Sequence, residues 1–278
     1  MTSISTTTAD WLALRAPADD DARSGDLARE LARLLAPGST SAPLVLHDLG
    51  AGTGSMTRWL APRLPGPQRW VLRDGDADIV EHLDLCTVVD AAGSPVVADI
   101  VVEHLASLPI DAFDGAAAVT ASALLDVITE AEAAHVVAAC VAAGTPVLFS
   151  LSVTGAVRLR PAERHGALER AIESAFNEHQ RREASGRRML GPAAVAVVQA
   201  AFADAGWNVR TAATPWRLAR HDTALMGEWL DGWIGAAVEQ QPELGPDAAG
   251  YRERRLAEAA AGRLRVTVSH EDLLAWPR

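Results

Sequence analysis

The chain has 278 residues, 49% of them hydrophobic, and a formal net charge of −11 with its arginines scattered rather than massed. This is apolar material for one large domain or a domain with a substantial insertion, and an acidic surface repels polyphosphate, which argues against a nucleic-acid substrate. Cys86 and Cys140 suggest neither a disulfide framework nor a metal knuckle, MTSISTTTAD lacks the basic start and apolar core of a signal peptide, and no uncharged apolar run reaches the ~18 residues of a membrane span, so a cytoplasmic protein is expected.

Helices are expected over 11–15 and 27–35, where Leu27, Leu31, Leu34 and Leu35 form an apolar stripe that Pro37-Gly38 stops. A strand follows over 44–49, then the alternating glycines Gly50, Gly52 and Gly54, then a helix over 56–64 ended by Pro65-Gly66-Pro67. Residues 70–73 form a second strand with Asp74 and Asp76 at its end. A helix over 78–86 and short strands over 96–99 and 115–120 come next. Residues 129–143 form a helix that Thr129 and Glu132 open as a capping box and Gly144 closes. The continuous apolar run 146–151, PVLFSL, is a strand buried on both faces. Strands alternating with helices predict a parallel sheet wound on both sides.

Beyond residue 151 the rhythm changes. Segment 155–191 carries an amphipathic helix with His165, Leu168, Ile172, Ala175, Phe176 and His179 near one face. A helix over 192–205, a sixth strand over 207–211, a Trp-rich helix over 225–237 and a last strand over 265–269 complete the chain. The expected organisation is a helical N-terminal segment (1–40), an α/β core (41–154), an inserted helical cap (155–191) and the C-terminal half of the core (192–278). Ligands of doubly wound sheets sit outside the carboxyl ends of the strands, so the segment leaving strand five is expected to cover the reacting side of the pocket.

The chemistry is concentrated at the glycines. A strand, a tight Gly turn and a helix N-terminus bring bare backbone against a ligand, because Gly adopts positive φ cheaply and has no Cβ. An acidic residue about twenty positions on, at the tip of the second strand, is where a ribose diol is gripped, and Asp74 stands there. The turn is one residue tighter than a dinucleotide fingerprint, with Ser55 where its third Gly or Ala would be, which disfavours a nicotinamide-dependent reductase.

Asp48-Leu49-Gly50-Ala51-Gly52-Thr53-Gly54 resembles motif I of the class I S-adenosylmethionine-dependent methyltransferases, acidic-x-G-x-G-x-G. The resemblance covers residues 43–151. It implies a doubly wound, mostly parallel seven-stranded α/β sheet ending in an antiparallel pair, with S-adenosyl-L-methionine as cofactor. It further implies that Gly50, Ala51, Gly52 and Gly54 approach the methionine end of that cofactor, and that Asp48 orients the turn and the cofactor's amino group. Asp74 would take the ribose hydroxyls, with Asp76 as second candidate. Asp99 would reach the adenine amino group or cap a helix, and Ser122 would touch cofactor or acceptor or serve in a turn. Asp126 is the candidate proton acceptor on the core, with a helix-start role as its alternative; His165 and His179 are candidate bases on the inserted helix, with packing as theirs. Trp216, Trp229 and Trp233 build core or pocket wall. No metal site is expected. The Asp/Asn-Pro-Pro-aromatic signature of amino-directed enzymes is absent, Thr120-Ala121-Ser122 standing in its place. The expected function is methyl transfer to a small-molecule acceptor. The alternatives are a non-catalytic cofactor-binding protein, or a methyltransferase acting on RNA or protein.

Overall fold

The computed structural model describes residues 8–36, 42–162, 166–184 and 186–278. Helix α1 (Ala9–Ala22) is opened by Thr8, whose hydroxyl accepts from the Trp11 N–H, and α2 (Gly25–Leu35) by Ser24, whose hydroxyl accepts from Leu27. The stop expected at Pro37-Gly38 lies outside the described residues. Strand β1 (Leu44–Leu49), α3 (Ser55–Leu60), β2 (Gln68–Asp74), α4 (Ala77–Val80), β3 (Val97–Val102), β4 (Ala118–Ser122) and α5 (Glu130–Ala143) form the first half of the core. The Thr129–Glu132 capping box at α5 is present in both directions. Helix α4 is one turn long, where the sequence suggested more than two.

Strand β5 (Val147–Arg160) is followed by α6 (Ala167–Gln180), a small hairpin of β6 (Glu183–Ala184) and β7 (Arg187–Arg188), and α7 (Ala194–Asp204). Then come β8 (Asn208–Ala213), β9 (Trp216–Leu218), α8 (Thr223–Gln240), α9 (Gly245–Ala260) and β10 (Arg265–Trp276). Among the described residues no helix is long and apolar enough to cross a membrane.

The main sheet is doubly wound and mostly parallel, in the order β3-β2-β1-β4-β5-β10-β8, with β9 also paired to β10. Strands β1 to β5 are parallel; β10 is antiparallel to β5, β8 and β9. The sheet has eight strands rather than seven because the partner of β10 is split at Thr214-Pro215. Thr214 still donates its N–H to the His270 carbonyl, but Pro215 has none to give.

The largest departure from expectation is β5, which continues nine residues past Leu151 to Arg160. It passes two irregularities in its pairing with β10, with Leu151 at φ +57° and Gly155 at φ +85°. Gly155 imitates a break in the sequence, although Val157 and Leu159 alternate with exposed Arg158 and Arg160 beyond it. Helix α6 is fastened to that extension: Glu173 accepts from the Val157 N–H at 2.8 Å, and Asn177 donates to the Gly155 carbonyl at 2.9 Å. Its buried face, Ile172 and Ala175, joins a cluster with α8, α9 and β9 that includes Trp216, Trp229, Trp233 and Tyr251. The helix of segment 155–191 is therefore a flank of the extended sheet. Helix α9 escaped the sequence reading because its inner face carries Ala248, Tyr251, Arg255 and Ala259 instead of an aliphatic stripe. Arg255 is buried there and donates to Glu169, Glu258 and the Pro161 carbonyl.

The two ends of the chain meet at Asp272. Its fully buried carboxylate accepts from the Ser24 N–H at 2.9 Å, the Leu151 N–H at 2.8 Å and the Thr214 hydroxyl at 2.8 Å. This anchors the α1–α2 joint above the carboxyl ends of the strands.

Candidate functional site

The turn after β1 is built from left-handed glycines, with φ of +60° at Gly50, +54° at Gly52 and +81° at Gly54. A Cβ on Gly50 would lie 2.8 Å from Leu124, so both backbone conformation and space require glycine there. The Ala51 N–H donates to the Arg73 carbonyl at 3.1 Å, and the Gly52 N–H donates to Asp74 Oδ2 at 2.8 Å. The other Asp74 oxygen accepts from the Asp76 N–H at 2.9 Å. Asp76 instead turns its carboxylate to the first N–H groups of α4, at Asp78 and Ile79. Asp74 thus faces the glycines, while Asp76 caps a helix beside them.

A cavity of about 730 Å³ opens over this turn. Its floor is Gly50–Thr53, Ser55 and Met56; one side carries Asp74–Ile79 and the other Ser122–Leu124. Its roof is α1, which contributes Leu12, Arg15 and Asp19, and the residue after α1, Arg23. A second cavity of about 470 Å³ shares Gly50, Asp74, Gly75, His104, Leu124, Val127 and Arg187 with the first and extends along the loop after β3 to Ser107. From segment 155–191, Arg187 alone among the described residues lines the larger cavity.

Several predicted site residues stand apart from it. Asp48 is completely buried beneath the turn, its oxygens accepting from the hydroxyls of Thr57 and Thr120, both at 2.9 Å. Desolvation pushes its pKa up to about 6, against the pull of those two hydrogen bonds. It ties β1 to α3 and β4 and does not line the cavity. Asp99 is not at a strand tip, because β3 runs on to Val102. It sits mid-strand on the sheet edge, paired with Arg69 at 2.6 Å. The residues that do follow β3 are Glu103, bonded to Arg73, and His104, which lines both cavities.

Ser122 lines the larger cavity and accepts from Arg23 at 3.0 Å. Asp126 lies just behind that wall, whose lining comes from Ala123, Leu124 and Val127. It is buried, its Oδ1 has no partner among the described residues, and burial raises its pKa to about 6. His179 is outside the cavity altogether, bonded to Glu239 of α8 at 3.1 Å. His165 lies outside the described residues. Trp229 and Trp233 stack at 5.2 Å in the α8 core, and Trp216 donates its Nε1–H to Asp19 beneath α1.

The sequence reading missed the roof. Leu12, Arg15 and Asp19 recur at intervals of three and four, the spacing of one helical face, but that face mixes charge with a single leucine and gives no apolar stripe. Arg15 forks onto both Asp19 oxygens, at 2.9 and 3.1 Å, and lies over the Trp216 ring. Ala123 (φ +52°), on the wall, and Leu151 (φ +57°), within β5, are the only non-glycine residues with positive φ among those described. They are neighbours across β4 and β5: the Ala123 N–H donates to the Ser150 carbonyl at 2.9 Å, one residue before Leu151. Ala123, just past the end of β4, lines the larger cavity, and strained backbone of this kind clusters at ligand sites.

No protein-family model matches this chain, and no curated protein matches it. Solved structures of similar fold include the YcgJ protein of Bacillus subtilis (12% identity, 89% of this chain and 97% of that one, TM-score 0.47). A cyclopropane synthase of Mycobacterium tuberculosis matches at 12% identity over 98% of this chain and all of that one, with a TM-score of 0.46. A methyltransferase of Thiobacillus denitrificans, solved with S-adenosyl-L-homocysteine, matches at 13% identity over 98% and 99%, with a TM-score of 0.44. At such identities and TM-scores these likenesses carry nothing about activity.

Proposed function

We propose that the protein binds S-adenosyl-L-methionine over the Gly50–Gly54 turn and transfers its methyl group to a small-molecule acceptor. The observation that supports this reading is the junction of the left-handed glycines with the Asp74 carboxylate in one cavity of about 730 Å³. A carboxylate offers two acceptor oxygens to a vicinal diol, and the glycines leave backbone bare for the rest of the ligand. The second cavity, along residues 103–107, provides room for a nucleobase beside Leu124 and Val127.

The cofactor supplies a sulfonium-bound methyl group that is already electrophilic. The protein's task is to align the acceptor in line with the carbon–sulfur bond and to exclude water. Bound over the turn, the cofactor would give its methyl group to the acceptor atom with loss of the carbon–sulfur bond and would depart as S-adenosyl-L-homocysteine. If the acceptor arrives as a hydroxyl or protonated amine, its proton must go elsewhere, and we assign that role to Asp126. Its pKa of about 6 leaves it ionised at neutral pH and still basic enough to take a proton. The roof of α1 covers part of a cavity of metabolite size, and the charge of −11 opposes a polyanionic acceptor. A cytoplasmic site of action accords with this chemistry.

The test is consumption of S-adenosyl-L-methionine against fractionated metabolite extracts, with S-adenosyl-L-homocysteine followed by mass spectrometry. Binding without turnover across all fractions would favour a non-catalytic cofactor-binding protein. A larger thermal shift with a nicotinamide dinucleotide than with S-adenosyl-L-methionine would overturn the cofactor assignment.

A further inference from the structure

The residue after α1 carries an arginine whose surroundings are incomplete. The Arg23 side chain is 1% exposed, yet it lines the larger cavity. Its Nη1 donates to Asp20 at 2.6 Å, and its Nη2 to the hydroxyls of Ser55 at 2.8 Å and Ser122 at 3.0 Å. Its Nε–H is buried without a partner among the described residues. The guanidinium also lies over the Trp59 ring, 5.7 Å from its centroid.

Burying a cation costs several kcal/mol unless anions and hydrogen bonds compensate it, as a rule of thumb for ions in protein interiors. Here the bonded carboxylate is Asp20, whose side chain is half-exposed at 52%. Burial accordingly pulls the Arg23 pKa below its ordinary value despite the nearby Asp19 and Asp20. Ser55 and Ser122 accept from Arg23, which leaves the O–H of each hydroxyl able to turn toward an incoming acceptor. An unpaired N–H, two serine hydroxyls and an undercompensated charge meet at one end of the cavity.

That end has a definite position. Ser122 terminates β4, and Asp74 terminates β2, on opposite sides of β1 and its glycine turn. Two inter-strand spacings of about 4.8 Å put them roughly 10 Å apart. Beside β4 the lining carries Arg15 and Arg23 against the single carboxylate Asp19, and beside β2 it carries Asp74, Asp76 and Asp78. A ligand that lies across the turn with its diol at Asp74 places its far end at Arg23.

We infer that Arg23, with Ser55 and Ser122, receives the carboxylate of the cofactor's amino-acid moiety. This makes Arg23 a specificity-determining residue that separates the intact cofactor from the bare nucleoside. The inference rests on the cofactor reading above and adds to it a recognition site outside the α/β core. Because Arg23 closes α1, an anion bound there also fastens the roof to the floor.

The test is calorimetry with three ligands: S-adenosyl-L-homocysteine, its carboxamide, and 5′-methylthioadenosine, which lacks the amino-acid group. Wild type should bind the carboxamide at least about tenfold more weakly than S-adenosyl-L-homocysteine, the scale of a lost charged hydrogen bond. Arg23→Gln should lose about the same factor for S-adenosyl-L-homocysteine and change its affinity for 5′-methylthioadenosine by less than about twofold. Equal losses for both ligands, or none for either, would overturn the inference, as would wild type binding acid and carboxamide alike. The wild-type comparison decides the matter even if Arg23→Gln fails to fold. Failure of wild type to bind any of the three would strike the cofactor reading instead.

Discussion

The Gly52 N–H and the Asp74 carboxylate meet at 2.8 Å, which ties the glycine turn to the tip of the second strand. The sequence offers Asp74 first and Asp76 second for the ribose, and their hydrogen bonds separate the two. Asp74→Ala should weaken S-adenosyl-L-homocysteine binding by about tenfold or more, the effect of losing a charged acceptor worth about 1.5–3 kcal/mol. Asp76→Ala should instead cost stability, about 1 kcal/mol for a lost N-cap, with little change in affinity. Calorimetry and thermal melts on both variants check this, and loss of affinity in Asp76→Ala alone would transfer the ribose role.

Glycine 52 faces the roof as well as the cavity. A Cβ there would lie 3.2 Å from Leu12 of α1, and φ is +54°. Gly52→Val should abolish cofactor binding while the far-ultraviolet circular dichroism stays that of a folded α/β protein. A folded variant that binds normally would show that the turn does not contact the ligand.

Helix α1, not α6, should respond to the cofactor. On adding S-adenosyl-L-homocysteine, amides of 9–22 and of the 50–54 turn should gain protection from hydrogen exchange, while those of 167–180 should not change. Protection confined to 167–180 would restore the inserted segment as the cover.

Asp126 should leave its mark on stability. Its folded pKa is raised to about 6 from 3.8, chiefly by desolvation, so its contribution is present in full below pH 3.8 and lost as pH rises through 6. At pH 7 the buried carboxylate costs about 3 kcal/mol. Asp126→Asn removes that cost, so the variant should exceed wild type in stability at pH 7 by up to about 3 kcal/mol, with the difference shrinking toward zero near pH 4. Burial lowers His47 and His270 to about 4, which sensitises both proteins to acid alike and cancels in the comparison. Denaturant melts across that range provide the check. The same variant should bind cofactor normally but turn over a protic acceptor at least about a hundredfold more slowly, within the usual range for a lost acid–base group.

The first half of the fold was readable because its signals are local. An apolar run ending in alternating glycines, a capping box at Thr129 and a buried strand at PVLFSL each state their structure within a few residues. What escaped depends on distant partners. Strand β5 passes through Gly155 because β10 pairs with it on both sides of the irregularity. Arg23 looks like an ordinary helix-end arginine until Ser55 and Ser122 arrive from elsewhere in the chain. Asp99 was misplaced for a simpler reason: Ile100, Val101 and Val102 prolong an edge strand that the aspartate had been expected to end.

Asp272 gives the protein an order of completion. A ribosome delivers the glycine turn, Asp74 and Ser122 long before Asp272, the carboxylate that holds Ser24 and lies 248 residues after it. A nascent chain can therefore fold the floor of the cavity while its roof remains unlatched. Closure waits for the last strand to leave the exit tunnel, because domains build as their segments emerge and long-range pairing comes last. A chain without β10 would lack both the carboxylate that latches Ser24 and the strand that joins β5 to β8 and β9. Latching of the roof thus follows folding of the floor, and it depends on a residue that does not line the cavity.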